Sequence, residues 1–195
     1  MAALLDVAAE LKKEGVRPKR SVLFVFFTAE EKGLLGSRYF TAHPTVERKS
    51  IVANLNVDGI HAIAPLKELR VLGVAESDLG DAARRAAGSQ EISAGAESEL
   101  NADAFTCCSD QYNFIVRGIP AVVSKVGFPG ESGAILRKFR RERMHTPLDN
   151  LQQPIDLDTA AKCEEILRAL LLDVANDSHR PQWKANSFYK RYAGM

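Results

Sequence analysis

The sequence predicts an α/β fold, a three-layer sandwich around a mostly parallel mixed sheet, built as one domain over residues 1–195. Two observations lead to it. Apolar runs rich in branched and aromatic residues recur at residues 22–27, 51–57, 69–74 and 119–124, the pattern of buried strands. Helical periodicities alternate with them, and no repeat or linker interrupts the series.

The elements read in order as follows. Residues 2–14 put Leu4, Val7, Ala8 and Leu11 on one helical face, with Gly15 as C-cap. No Ser, Thr, Asp or Asn precedes this helix. A short basic turn leads to residues 22–27 (VLFVFF), read as a strand buried on both faces. It delivers Glu30 and Glu31, and a helix follows as far as His43-Pro44. The strand at 51–57 delivers Asp58-Gly59, and the next one, at 69–74, precedes a short helix over 79–87. Residues 88–104 are polar and rich in Gly, Ser and Glu, a loop with room for a short strand. Ser109 is expected to cap a helix over 110–116 that stops at Gly118. Pro120 opens the strand at 119–124, where a missing N–H is tolerated. Residues 127–149 read as a long loop, and Asp156 or Asp158 caps a last helix with Ala160, Cys163, Leu167, Leu170, Leu171 and Val174 inward. A tail with Trp183, Phe188 and Tyr189 is expected to pack on the body.

Composition narrows the function classes. The chain is 46% hydrophobic and 26% charged, an ordinary globular balance that supports one core. A net charge of +1 gives no strong field for nucleic acid or anionic membrane. The basic run at 137–143 therefore reads as a solvated loop rather than a nucleic-acid site. No apolar run approaches the roughly 20 residues that span a bilayer. Met1 leads straight into an amphipathic pattern without the basic head or cleavage site of a signal peptide. Cys107, Cys108 and Cys163 are too few for a disulfide framework. Adjacent cysteines do not bond each other without strain, and Cys163 reads as core.

Chemistry-bearing residues gather at strand and loop ends. Ligands of open α/β sheets sit at the carboxyl ends of strands, where Glu30, Glu31 and Asp58 fall. His145 lies in the loop segment MHTPLDN. Carboxylate and imidazole suit zinc, and a further carboxylate can take a proton from a metal-bound water. The bland alternatives are solvated acids opening a helix, a turn aspartate and exposed loop histidines, as His43 and His61 are also read. The separations are long-range, so spacing alone establishes no metal site.

Four segments in this order, FFTAEEKGLLGSRYF, NLNVDGI, SDQYNFIVRGIPAV and MHTPLDN, resemble the co-catalytic zinc aminopeptidase family, whose relatives include glutamate carboxypeptidase and glutaminyl cyclase. The resemblance covers residues 22 to about 171 and is closest to bacterial peptidases, often secreted or periplasmic. It implies two zinc ions and a peptide substrate. It assigns Glu30 as general base, Glu31 and His145 as ligands of one zinc, and Asp58 as ligand of the other. Asp110 matches an acidic position supporting the substrate pocket, with Gln111 where many members have His. Met144 stands where many members have a Tyr that helps stabilise the tetrahedral intermediate, and Met cannot donate that hydrogen bond. The family's His-any-Asp segment and metal-bridging Asp precede the first helix, and neither is in this chain. With the missing cap, this leads us to expect the C-terminal portion of a zinc peptidase domain, with little activity or zinc binding alone. The alternative is a non-catalytic binding or scaffold relative of the same fold. Glutaminyl cyclase chemistry is also compatible with the scaffold.

Overall fold

The computed structural model describes residues 1–95, 108–127 and 131–194, without the side chain of Glu131. Its centre is a sheet of β1 (Asn54–Asn56), β2 (Glu68–Leu72), β3 (Ser93–Gly95) and β4 (Ala121–Gly127), in the order β1-β4-β2-β3. The outer pairs β1–β4 and β2–β3 are parallel, and the central pair β2–β4 is antiparallel. The sheet is therefore mixed. Around it lie α1 (Ala2–Lys13), α2 (Leu35–Ala42), α3 (Leu79–Gly88), α4 (Gln111–Ile115), α5 (Glu131–Glu142) and α6 (Leu157–Asn176).

The pleat sorts side chains onto two faces. On one, Leu69, Val71, Val122 and Val126 pack with Ala83 and Ala86 of α3 and Ile166 and Leu170 of α6. On the other, Leu72, Ala121 and Val123 meet Ile115 of α4 and Trp183 of the tail. These are the three layers. A satellite core joins Val7 and Leu11 of α1 to Leu167 and Leu171 of α6.

Asp156 is the cap of α6, its carboxylate accepting the Thr159 amide at 2.8 Å. The Thr159 hydroxyl in turn donates to Ala64 O at 3.0 Å and accepts from Leu66 N at 2.7 Å, tying the helix to the chain between β1 and β2. Cys163 is a buried free thiol, and burial pushes it up to about 12. The Trp183 indole donates to Gly118 O at 3.1 Å, which anchors the tail. Cys108 is disulfide-bonded; the reading of Cys107 lies outside the described residues, as does most of 88–104.

Three expectations are corrected. Residues 22–27 have no ladder partner among the described residues and are not buried on both faces. Val22 and Phe24 pack on the α1–α6 core, while Leu23 and Phe26 remain 52% and 43% exposed. A strand becomes buried on both faces only when flanking strands and covering layers are present on each side. The described part of 127–149 is mainly helical, because α5 fills 131–142 and turns around Leu136 and Phe139. Ser109 does not cap α4: Asp110 holds the N-cap position without a side-chain cap bond, and Ser109 is spent elsewhere. No described helix is long and apolar enough to cross a membrane.

Candidate active site

The segment after residues 22–27 is built by unusual backbone. Glu30–Lys32 form a single 3-10 turn held between Ala29 at φ 56° and Gly33 at φ 94°, with Leu34 at φ 58°. Left-handed conformations cost a non-glycine residue roughly 1–2 kcal/mol. Gly36 closes the loop by donating its amide to Thr28 O at 3.0 Å. A Cβ on Gly36 would stand 2.6 Å from that carbonyl oxygen, so only glycine permits the approach.

Across from this turn, α5 ends and the amides of Arg143 and Met144 donate to Phe139 O. The chain then passes through His145 at φ 61°. Three of the four described non-glycine residues with positive φ thus flank one place, as strained residues do at functional sites. The result is a direct contact: His145 Nε2 lies 2.7 Å from Glu31 Oε1, with both side chains about two-thirds exposed. Met144 is half-buried in the same turn.

Glu30 sits at the centre of the acidic group. Burial raises its carboxyl above the ordinary range, and the charges of Asp58, Glu31 and Asp110 raise it further, against a smaller pull from His145. Asp58 leaves the end of β1 exposed, beside Gly59 at φ 118°. Asp110 is also raised, first by burial, with the Ser37 hydroxyl pulling back and Asp58 adding to the rise. Its Oδ1 is buried without a hydrogen-bond partner among the described residues.

Positioning residues that the sequence did not single out hold this group together. Asn56 Nδ2 donates to Ser109 Oγ at 2.8 Å and to Gln111 Oε1 at 2.9 Å, locking β1 to the start of α4. Asn113 Nδ2 donates to the fully buried Ser37 Oγ at 2.9 Å, locking α4 to α2. His61, expected to be an exposed loop histidine, is instead half-buried with its ring 5.7 Å from Phe139 of α5. No periodicity marks such polar partners; an Asn inside the apolar run at 51–57 is the one signal that could have found Asn56.

Residues 1–171 match peptidase family M28. The chain belongs to that family. M28 is a family of metallopeptidases, as the motif resemblance implied. The fold is similar to that of BSAP, a zinc aminopeptidase from Bacillus subtilis, at TM-score 0.68 and 21% identity, covering 99% of this chain and 43% of that one. Leupeptin-inactivating enzyme 1 of Streptomyces exfoliatus is 35% identical over 65 residues, 33% of this chain and 15% of that protein. The M28 chain described here spans under half the length of either relative.

Zinc is the metal that the family implies, and the donors can be tested against it. Carboxylate oxygen and imidazole nitrogen are zinc ligands, and Glu31 with His145 supplies one of each side by side. A catalytic zinc needs about three protein ligands. Among the described residues no three His, Cys, Asp or Glu side chains come together as one ion's ligands. Glu31 and His145 thus present two donors of kinds that suit zinc, fewer than one catalytic ion needs.

Proposed function

We propose that residues 1–195 are the C-terminal portion of a zinc aminopeptidase domain that removes N-terminal residues from peptides. The observation that carries this is the joining of the Glu31–His145 pair to a raised Glu30 carboxyl at the carboxyl end of β1. In this reading Glu30 is the group that takes up and returns a proton, since its raised pKa brings it nearer to neutrality. Glu31 and His145 present metal ligands, Asp58 presents one for a second ion, and Asp110 with Met144 borders the substrate. The remaining ligands belong to the part of the relatives' length that this chain does not span. A secreted or periplasmic parent suits the bacterial resemblance.

The test is Glu30→Gln in the complete zinc-loaded protein, assayed on an aminoacyl-nitroanilide with metal content measured in parallel. Turnover should fall about 10²–10⁴-fold with zinc retained, because glutamine keeps the shape but accepts no proton. Unchanged turnover at full zinc content would rule out Glu30. The absence of a three-ligand group among the described residues favours a second reading, a non-catalytic relative. That reading is selected if the complete protein binds peptides but neither retains zinc nor cleaves them.

A further inference from the structure

The short helix α4 is bonded to both halves of the candidate site. On one side lie the Glu30–Lys32 turn and the start of α2. Asn113 is buried, and its Nδ2 donates to Ser37 Oγ at 2.9 Å and, over a longer 3.4 Å, to Leu34 O. Leu34 is the left-handed residue between that turn and α2. Its amide donates to Glu30 O at 2.9 Å, and its carbonyl accepts the Arg38 amide at 3.0 Å and the Ser37 hydroxyl at 3.2 Å. Both hydrogens of the Asn113 amide thus go to the strained link that joins Glu30 and Glu31 to α2. The rings of Phe27, Phe40 and Phe114 close the same corner, with centroids 5.7 to 6.0 Å apart.

On the other side is β1. Asn56, two residues before Asp58, donates to Ser109 and Gln111 at the start of α4, at 2.8 and 2.9 Å. Ser109, Gln111 and Asn113 are all buried. Among the described residues no hydrogen bond joins residues 28–36 directly to β1, so the bonded route between them runs through α4. A packed turn of helix bonded at both ends fixes a distance.

We propose that Asn113 and Asn56 are positioning residues at the two ends of an α4 brace that sets the distance between the Glu30–Glu31 turn and Asp58. Each acts through the backbone it holds. The role rests on the aminopeptidase reading, in which the turn carries the general base and a ligand of one zinc, and Asp58 a ligand of the other. Misplacing such groups by about 1 Å costs on the order of 10²-fold in rate.

The experiment places Asn113→Leu and Asn56→Leu, which keep the volume and remove the donors, in the complete zinc-loaded protein, alone and together. Each single change should lower kcat about 10–100-fold with KM within about threefold, as loss of a partner behind a metal ligand does. The double variant should fall no further than the worse single, because a brace released at either end no longer fixes a distance. Val7→Ala, which loosens the α1–α6 core instead, should keep kcat and so separates positioning from lost stability. Ser37→Ala removes the acceptor rather than the donor and should reproduce the Asn113→Leu pattern in part, which keeps the test decisive where leucine is not accommodated. Hydrogen exchange in metal-free protein supplies a readout without turnover. The amides of Gly33, Leu34, Leu35 and Gly36, bonded within the turn, should exchange about tenfold faster in Asn113→Leu, while those of α6 stay as in the parent. If the parent retains no zinc or cleaves nothing and the turn amides still loosen, the peptidase reading fails and the brace stands. Unchanged exchange in the turn, faster exchange throughout the fold, an effect carried in KM, or losses that multiply in the double variant overturn it.

Discussion

The two sides of the sheet edge are built on opposite terms. Behind it, α3 and α6 cover Leu69, Val71, Val122 and Val126 with Ala, Ile and Leu, and α6 begins on a made cap. At the edge itself, Ala29, Leu34 and His145 hold left-handed backbone, and Glu30, Glu31, Asp58 and Asp110 crowd one another. The first region minimises free energy locally, residue by residue. The second accepts strain and like-charge repulsion that the first must offset, which is the usual relation of a site to its scaffold.

The largest expected effect lies in the scaffold. Leu170 is fully buried in the main core, so Leu170→Ala should cost about 2–5 kcal/mol through lost burial and the cavity left behind. At about 2–4 °C per kcal/mol for a chain of this size, calorimetry reads the fall directly. A loss below about 1 kcal/mol would mean that α6 is not the support described here. Asp156→Ala should cost about 1 kcal/mol by leaving the Thr159 amide without its side-chain acceptor, measured by denaturant midpoint. An unchanged midpoint would show that water serves equally well there.

The same contrast explains what could be read in advance. The α6 stripe, its Asp156 cap and β4 were legible because burial imposes a period and capping a residue type. The order of the motif segments was enough to bring Glu30, Asp58 and Asp110 into one group of expectations. The resemblance also set Glu31 and His145 on one zinc, but the geometry of their 2.7 Å contact depends on where α5 ends, and α5 was read as loop. Its sequence carries so many Arg and Lys that only Leu136 and Phe139 mark an inward side. Residues 22–27 misled in the other direction. Their composition reports what the segment can bury, whereas its burial here depends on which strands lie beside it. His61 was passed over because a single histidine has no pattern at all.

At the edge, the sign should reverse, and removing its features should stabilise. Ala29→Gly at φ 56° relieves a left-handed cost of roughly 1–2 kcal/mol and incurs about 0.5–1 kcal/mol of glycine chain entropy. A net gain of about 0.5 kcal/mol is expected in urea melts, together with slower turnover in the complete protein as the Glu30–Lys32 turn loosens. A loss of stability would mean that the Ala29 methyl contributes more packing than its backbone costs.

The smallest effect is the most specific to the acidic crowd, because it has a fixed pH signature. Burial, and then the charge of Asp58, raise the Asp110 carboxyl against the pull of Ser37. A folded-state pKa above the unfolded one means that the folded chain holds the proton longer. The contribution to stability is therefore fully present below the unfolded pKa and is lost as pH rises through the folded pKa. Asp110→Asn has no such proton to lose. In metal-free protein the variant's Tm relative to the parent should rise with pH from the acid side of the carboxylate range and level off once Asp110 is ionised. Because the group is only half-buried, solvent screening should keep the difference under about 1 kcal/mol. Thermal melts across that range in matched buffers measure it. A difference that shrinks with rising pH would mean that Asp110 is stabilised as the anion, and the acids at this edge would then be partners of cations rather than of one another.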